Sequence, residues 1–183
     1  MKKKILVISG GISKERAISL DSGKQVAKEL SRNGYIVKIC EPNLKLIKII
    51  KSFKPNTIFN ALHGQFGEDG YIQTILETTN VPYTHSGVLA SSIAMDKEIS
   101  KKIFIKNNIL TPKFLIYSFN KKKIDLIKLI KQKLKFPVVV KPINEGSSVN
   151  VYICTEKNII KNLKLLNEYK KVIIEEFIPG REI

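Results

Sequence analysis

The chain has 183 residues, 43% of them hydrophobic, and a formal net charge of +16 from 32 lysines and arginines against 16 acids. That length accommodates one large or two small domains with a real core, and the composition excludes a disordered chain. No run approaches the roughly 20 apolar residues of a membrane span, and Ile5 to Ile8, behind Met1-Lys2-Lys3-Lys4, is too short for the core of a signal peptide, so a cytoplasmic protein is expected.

Ile5-Leu6-Val7-Ile8 reads as a buried parallel strand, and Ser9 to Ser13 as a turn. Ser13 can cap a helix over Glu15 to Asn33, where Ile18, Val26, Ala27 and Leu30 recur at helical spacing until Gly34 ends it. Strands at 35–40 and 57–62 alternate with helices at 44–53 and 70–79, and 81–83 is a short extended piece. This alternation predicts a parallel sheet covered on both faces, with ligand groups at the C-terminal strand ends, where the loops 9–15 and 63–70 fall. From Ser86-Gly87 the chain reads as helical to about Asn108. Strands at 113–119, 136–141, 149–154 and 172–177, with helices at 124–134 and 156–168, then predict an α+β unit. The boundary falls near residue 95, giving domains 1–95 and 96–183. Glu182-Ile183 looks like the start of a further element, so a chain truncated before another domain is expected.

Most of the positive charge is lysine, spread along the chain and interleaved with isoleucine, without an aromatic stacking platform; it reads as a solvated surface, with no nucleic-acid partner and no membrane partner. Cys40 and Cys154 form no CxxC or Cys/His cluster and read as small core residues of a reduced protein. No metal site is visible: the sequence around His63 lacks the His-Glu-x-x-His spacing of a zinc hydrolase.

Neither a P-loop nor a dinucleotide fingerprint is present. Glu145-Gly146-Ser147-Ser148, however, lies between two strands and follows Lys141. A glycine and two hydroxyls in a tight loop can present backbone N–H groups to an anion, and the lysine adds a point charge; an ordinary hairpin fits the same residues. His63-Gly64-Gln65-Phe66-Gly67-Glu68-Asp69-Gly70 ends a strand with a histidine beside acids and glycines. Met95-Asp96-Lys97 opens a helix. Ile173 to Glu182 is an apolar strand running into acids, which could line a nucleoside pocket.

In order, Gly10-Gly11-x-Ser13-x-Glu15-Arg16-x-x-Ser19, the His63–Gly70 segment, Ser86-Gly87 with Met95-Asp96-Lys97, Lys141-Pro142-x-x-Glu145-Gly146-Ser147-Ser148, and Glu175 to Glu182 resemble the D-alanine–D-alanine ligases of the ATP-grasp superfamily over the whole chain. The resemblance implies an N-terminal parallel-sheet domain and an ATP-grasp central subdomain, with a C-terminal ATP-grasp domain beyond residue 183. It implies ATP, two molecules of D-alanine, and Mg2+ (or Mn2+) whose ligands lie outside this chain; a homodimer is compatible with it. The reaction it implies activates one D-alanine as an acyl phosphate, which the amine of the second attacks, for peptidoglycan precursor synthesis.

By the same resemblance Glu15 would bind the first D-alanine's ammonium and hydrogen-bond toward Ser147. Ser147 would orient the second amino acid, and these two are the catalytic candidates. His63 would lie near the first carboxylate, with Glu68 bracing its loop. Lys97 and Lys141 would hold ATP phosphates, with Gly146 and Ser148 in the loop over them. Glu175 would meet the adenine amino group, Glu176, Phe177 and Ile178 would run along the base, and Glu182 would take the ribose hydroxyls. His85 and Asn150 depart from the pattern, each standing where the family usually has glycine. Two alternatives stay open: a ligase using D-lactate or D-serine as acceptor, and a non-catalytic binding protein that keeps the fold.

Overall fold

The computed structural model describes residues 2–120, 125–146 and 149–181. The chain divides into two compact units, Met1–Met95 and Asp96–Ile183.

In the first unit, β1 (Lys4–Ile8), β2 (Ile36–Cys40) and β3 (Thr57–Asn60) form a parallel sheet in the order β2-β1-β3. Helices α1 (Arg16–Arg32), α2 (Leu46–Phe53), α3 (Tyr71–Glu77) and α4 (Val88–Met95) follow the strands. Alternate side chains of a strand point to opposite faces. Leu6, Ile8 and Ile58 therefore meet Leu46 and Ile50 of α2 and Ile72 and Leu76 of α3 on one face. Val7 meets Ala27 of α1 on the other. The strand must be apolar throughout because both faces are covered. The extended piece near residue 82 adds one parallel bridge, Ile58 to Tyr83.

The second unit begins with α5 (Lys97–Lys106) and carries β4 (Phe114–Ser118), α6 (Leu126–Lys133), β5 (Val138–Pro142), β6 (Tyr152–Cys154), α7 (Ile159–Leu165) and β7 (Lys171–Glu176). Its sheet is antiparallel, in the order β4-β7-β5-β6. One face is the core: Val138, Val140, Val172 and Ile174 pack on Ile130 of α6 and on Ile159 and Leu163 of α7. Among the described residues, no helix is long and apolar enough to cross a membrane.

Two expectations change. The helix read from Gly87 to Asn108 is two helices. Asp96 interrupts it in an extended conformation and caps α5 by accepting a hydrogen bond from the Ile99 N–H at 2.9 Å. Such a cap contributes about 1 kcal/mol, and side-chain spacing alone does not reveal it. Ser13 does not cap α1, whose first flanking residue is Glu15 with no side-chain cap. The Ser13 hydroxyl still accepts from the Glu15 N–H at 3.1 Å, just ahead of the helix, and donates to the His63 carbonyl at 2.9 Å.

Gly23 sits inside α1 where that helix crosses the end of β1, and a Cβ there would overlap the Cβ and Oγ of the buried Ser9. Gly→Ala in an exposed helix gains about 1 kcal/mol. At this contact the sign reverses: Gly23→Ala is expected to lose about 1–3 kcal/mol in urea unfolding through overpacking.

Candidate functional site

In the first unit the functional candidates gather at the C-terminal edge of the sheet. Ser19, fully buried in the first turn of α1, accepts from the Gly10 N–H at 2.8 Å and donates to the Ala61 carbonyl at 2.7 Å. With the Ser13–His63 bond, it ties the loop after β1 to the loop after β3. Both loops are polar because their backbone groups leave the sheet ladder and need partners. Asn60 and Gln73 supply two of them, each donating to the Gly67 carbonyl at 2.9 Å.

Glu15 is brought to this edge and buried. Its carboxylate lies against Gly64, where any side chain would collide with Oε2. Gly64 also has φ of +68°, a region that disfavours side chains. Among the described residues, the Glu15 carboxylate takes no hydrogen bond. Its oxygens can accept hydrogen bonds from a cationic ligand. The His63 ring is hydrogen-bonded through Nε2, 3.2 Å from Ser22 Oγ, while Nδ1 faces Glu68 Oε1 at 3.7 Å. Glu68 Oε2 in turn accepts from the Gly64 N–H at 2.8 Å. A cavity of about 550 Å3 opens here, lined by Gly10, Ser13 and His63 and by apolar residues including Ile12, Leu44 and Phe66.

In the second unit the candidates lie on the sheet face opposite the core. β5 and β7 pair with Val139 opposite Glu175 and Lys141 opposite Ile173. The pleat that sends Val138, Val140 and Ile174 into the core therefore turns Lys141 and Glu175 to the other face as diagonal neighbours. Lys141 Nζ lies 2.6 Å from Glu175 Oε2. Lys101 of α5 reaches the other oxygen, Oε1, at 3.0 Å, and lies 5.2 Å from the centre of the Phe114 ring. Lys97, one turn earlier on α5, donates to the carbonyls of Ile143 (3.3 Å) and Glu145.

Three ammonium groups thus gather around one buried carboxylate. Burial and the neighbouring Lys141 charge lower the Lys97 pKa below the ordinary lysine value of 10.5, although Glu175, Glu145 and Asp96 pull the other way. Between that lowered value and 10.5 the unfolded chain binds the proton more tightly. The charged Lys97 therefore opposes folding at neutral pH, and the cost disappears as pH rises through that window. Such a cluster suits a bound polyanion, which offsets the surplus charge.

Glu176 ends β7, its N–H given to the Lys113 carbonyl at 2.9 Å, so only its carbonyl could serve a base. Phe177 and the exposed Ile178 follow, and Gly146 accepts from the Val149 N–H at 3.0 Å. Ser147, Ser148 and Glu182 lie outside the described residues. His85 and Asn150 adopt φ of +79° and +57°, the left-handed region that glycine enters without strain. Among the described residues, no group of three or more histidines, cysteines or acids gathers to hold a metal.

Lys101 is the site residue that sequence reasoning missed. Its signal was the spacing of four from Lys97, which puts both on one helix face; a lysine that reads as surface is instead buried. Glu175→Gln leaves Lys101 and Lys141 without a counter-charge and is expected to destabilise the protein by about 3 kcal/mol in urea unfolding at neutral pH.

A family profile described as "D-ala D-ala ligase C-terminus" matches residues 107–183. A D-alanine–D-alanine ligase of Pelagibacter ubique is 73% identical over 183 residues, which is all of this chain and 60% of that protein. One from Wolbachia pipientis wMel is 43% identical over 98% of the chain and 56% of its own length. The crystal structure of the Bacillus anthracis D-alanine–D-alanine ligase superposes with a TM-score of 0.83 at 37% identity, covering 97% of this chain and 58% of that one. Its complex with ATP gives 0.79 at 35% identity. The chain spans about three-fifths of the length of these relatives. In sequence over all of its 183 residues, and in fold over 97% of them, this chain is similar to about three-fifths of a D-alanine–D-alanine ligase.

Proposed function

We propose that this chain carries the nucleotide-phosphate and first-substrate residues of an ATP-dependent ligase that joins two D-alanines for peptidoglycan precursors in the cytoplasm. The observation that carries it is the packing of Lys97, Lys101 and Lys141 around the single buried carboxylate of Glu175. ATP fits that cluster because a polyphosphate supplies the negative charge the three ammonium groups lack. It provides the phosphoryl group that activates a carboxylate. Mg2+ would be held by residues other than those described here.

Within the second unit, Lys97 and Lys141 would hold phosphate oxygens as point charges and stabilise charge developing on the transferring group. Lys101 would keep Glu175 in place, so that its remaining lone pairs can meet the adenine amino group. The carbonyl of Glu176 and the backbone of Phe177 and Ile178 would follow the base, and Glu182 would take ribose hydroxyls. Gly146, Ser147 and Ser148 would close over the phosphates, with Ser147 orienting the second amino acid. In the first unit, the buried Glu15 carboxylate would receive the first D-alanine's ammonium. His63, hydrogen-bonded to Ser22 with Glu68 nearby, would sit at its carboxylate.

The direct test is D-alanine-dependent release of ADP by these 183 residues joined to the part of the Pelagibacter ubique ligase they do not span. Turnover is expected in the joined protein and not in the 183 residues alone. Lys141→Met in the joined protein is expected to raise KM for ATP at least tenfold, because it removes a charge-assisted contact. Turnover with D-lactate or D-serine in place of the second D-alanine would change the acceptor. ADP release that does not depend on any amino acid would overturn the assignment.

A further inference from the structure

Glu145 and Asn150, which lie in the chain between β5 and β6, reach one and the same atom. That atom is the hydroxyl of Tyr169, in the turn between α7 and β7. The hydroxyl donates to Glu145 Oε1 at 2.9 Å and accepts from Asn150 Nδ2 at 2.9 Å. Asn150 Oδ1 also accepts from the Tyr152 hydroxyl at 3.5 Å. A phenol has one proton to give and lone pairs to receive, so a single hydroxyl can bridge an acceptor and a donor in this way.

Three features make the bridge more than local packing. The Tyr169 ring is anchored against the core of the second unit, so the hydroxyl is presented from a fixed base. Asn150 holds φ of +57°, a strained value for a side-chain-bearing residue, and its amide is the group that reaches Tyr169. Glycine would relieve that strain and could not make the contact. The backbone carbonyl of Glu145 accepts from Lys97 Nζ, so a residue whose carboxylate is held by Tyr169 also helps aim the ammonium of Lys97.

We infer that Tyr169 is a positioning residue: through Glu145 and Asn150 it fixes both ends of the 145–150 segment and, through Glu145, the placement of Lys97 toward a nucleotide phosphate. The role rests on the nucleotide function proposed above for Lys97 and Lys141. It also gives Asn150 a purpose at a position where the family usually has glycine: the strain of the left-handed backbone is accepted in exchange for a donor to the Tyr169 hydroxyl.

The test uses Tyr169→Phe, which deletes the hydroxyl and keeps the ring in the core, and Asn150→Gly, which keeps the backbone shape and deletes the amide. In the 183-residue chain, ATP affinity is measured by calorimetry and amide hydrogen exchange across 145–150 by mass spectrometry. Tyr169→Phe is expected to weaken ATP binding about tenfold, the scale of a hydrogen bond to a charged group, and to quicken exchange across the segment. Asn150→Gly should act in the same direction, and the double variant should be no weaker than Tyr169→Phe alone, because both remove parts of one bridge. Additive losses, or ATP affinity unchanged in Tyr169→Phe while the parent chain binds, would overturn the role, even if exchange quickens. Failure of the parent chain itself to bind ATP would remove the nucleotide function, and this role with it.

Discussion

The arrangement of the second unit depends on one buried carboxylate. Glu175 is drawn off the core face by the pleat of β7, and each of its oxygens meets a lysine from a different element: Lys101 from α5 and Lys141 from β5. Taking these charges out of water costs several kcal/mol per ion, and the cost is recovered only through close pairing. The pairing links α5 to the two central strands of the sheet. It also leaves positive charge in excess, because one carboxylate cannot neutralise two ammonium groups, and Lys97 adds a third nearby. What fastens the helix to the sheet is therefore the same thing that makes this face suited to a polyanion.

The first unit solves a different problem by close approach. Its loops after β1 and β3 are laced together by Ser13 and Ser19, Asn60 braces the second loop from within, and Gly64 leaves room for the Glu15 carboxylate to be buried beside it. Gly67, packed directly on the Cβ of Leu62, keeps the same loop close to its strand.

Much of this was legible in the sequence, because it follows from local pattern. The apolar run Leu6-Val7-Ile8 announces a strand covered on both faces, and the alternation along Val138 to Lys141 and Ile173 to Glu175 fixes which side chains share a face. Motif order supplied Glu15, His63, Lys97, Lys141 and Glu175. The rest depends on contacts distant in sequence. Asp96 breaks a continuous helical pattern through a side-chain cap, Ser13 bonds to a carbonyl 50 residues away, and Lys101 is buried only because β7 places Glu175 beneath α5. Tyr169 has no motif at all; its significance appears only when Glu145 and Asn150 are seen to meet at one oxygen.

The most direct test of the lysine cluster is the titration of Lys97 itself, followed by NMR on lysine labelled at the side-chain carbon next to the ammonium nitrogen, with and without ATP. Without nucleotide, Lys97 should lose its proton below the ordinary lysine value of 10.5. With ATP bound, the phosphate charge should favour the ammonium form and move that titration upward. A Lys97 titration at the same pH in both states, with ATP bound, would contradict the account.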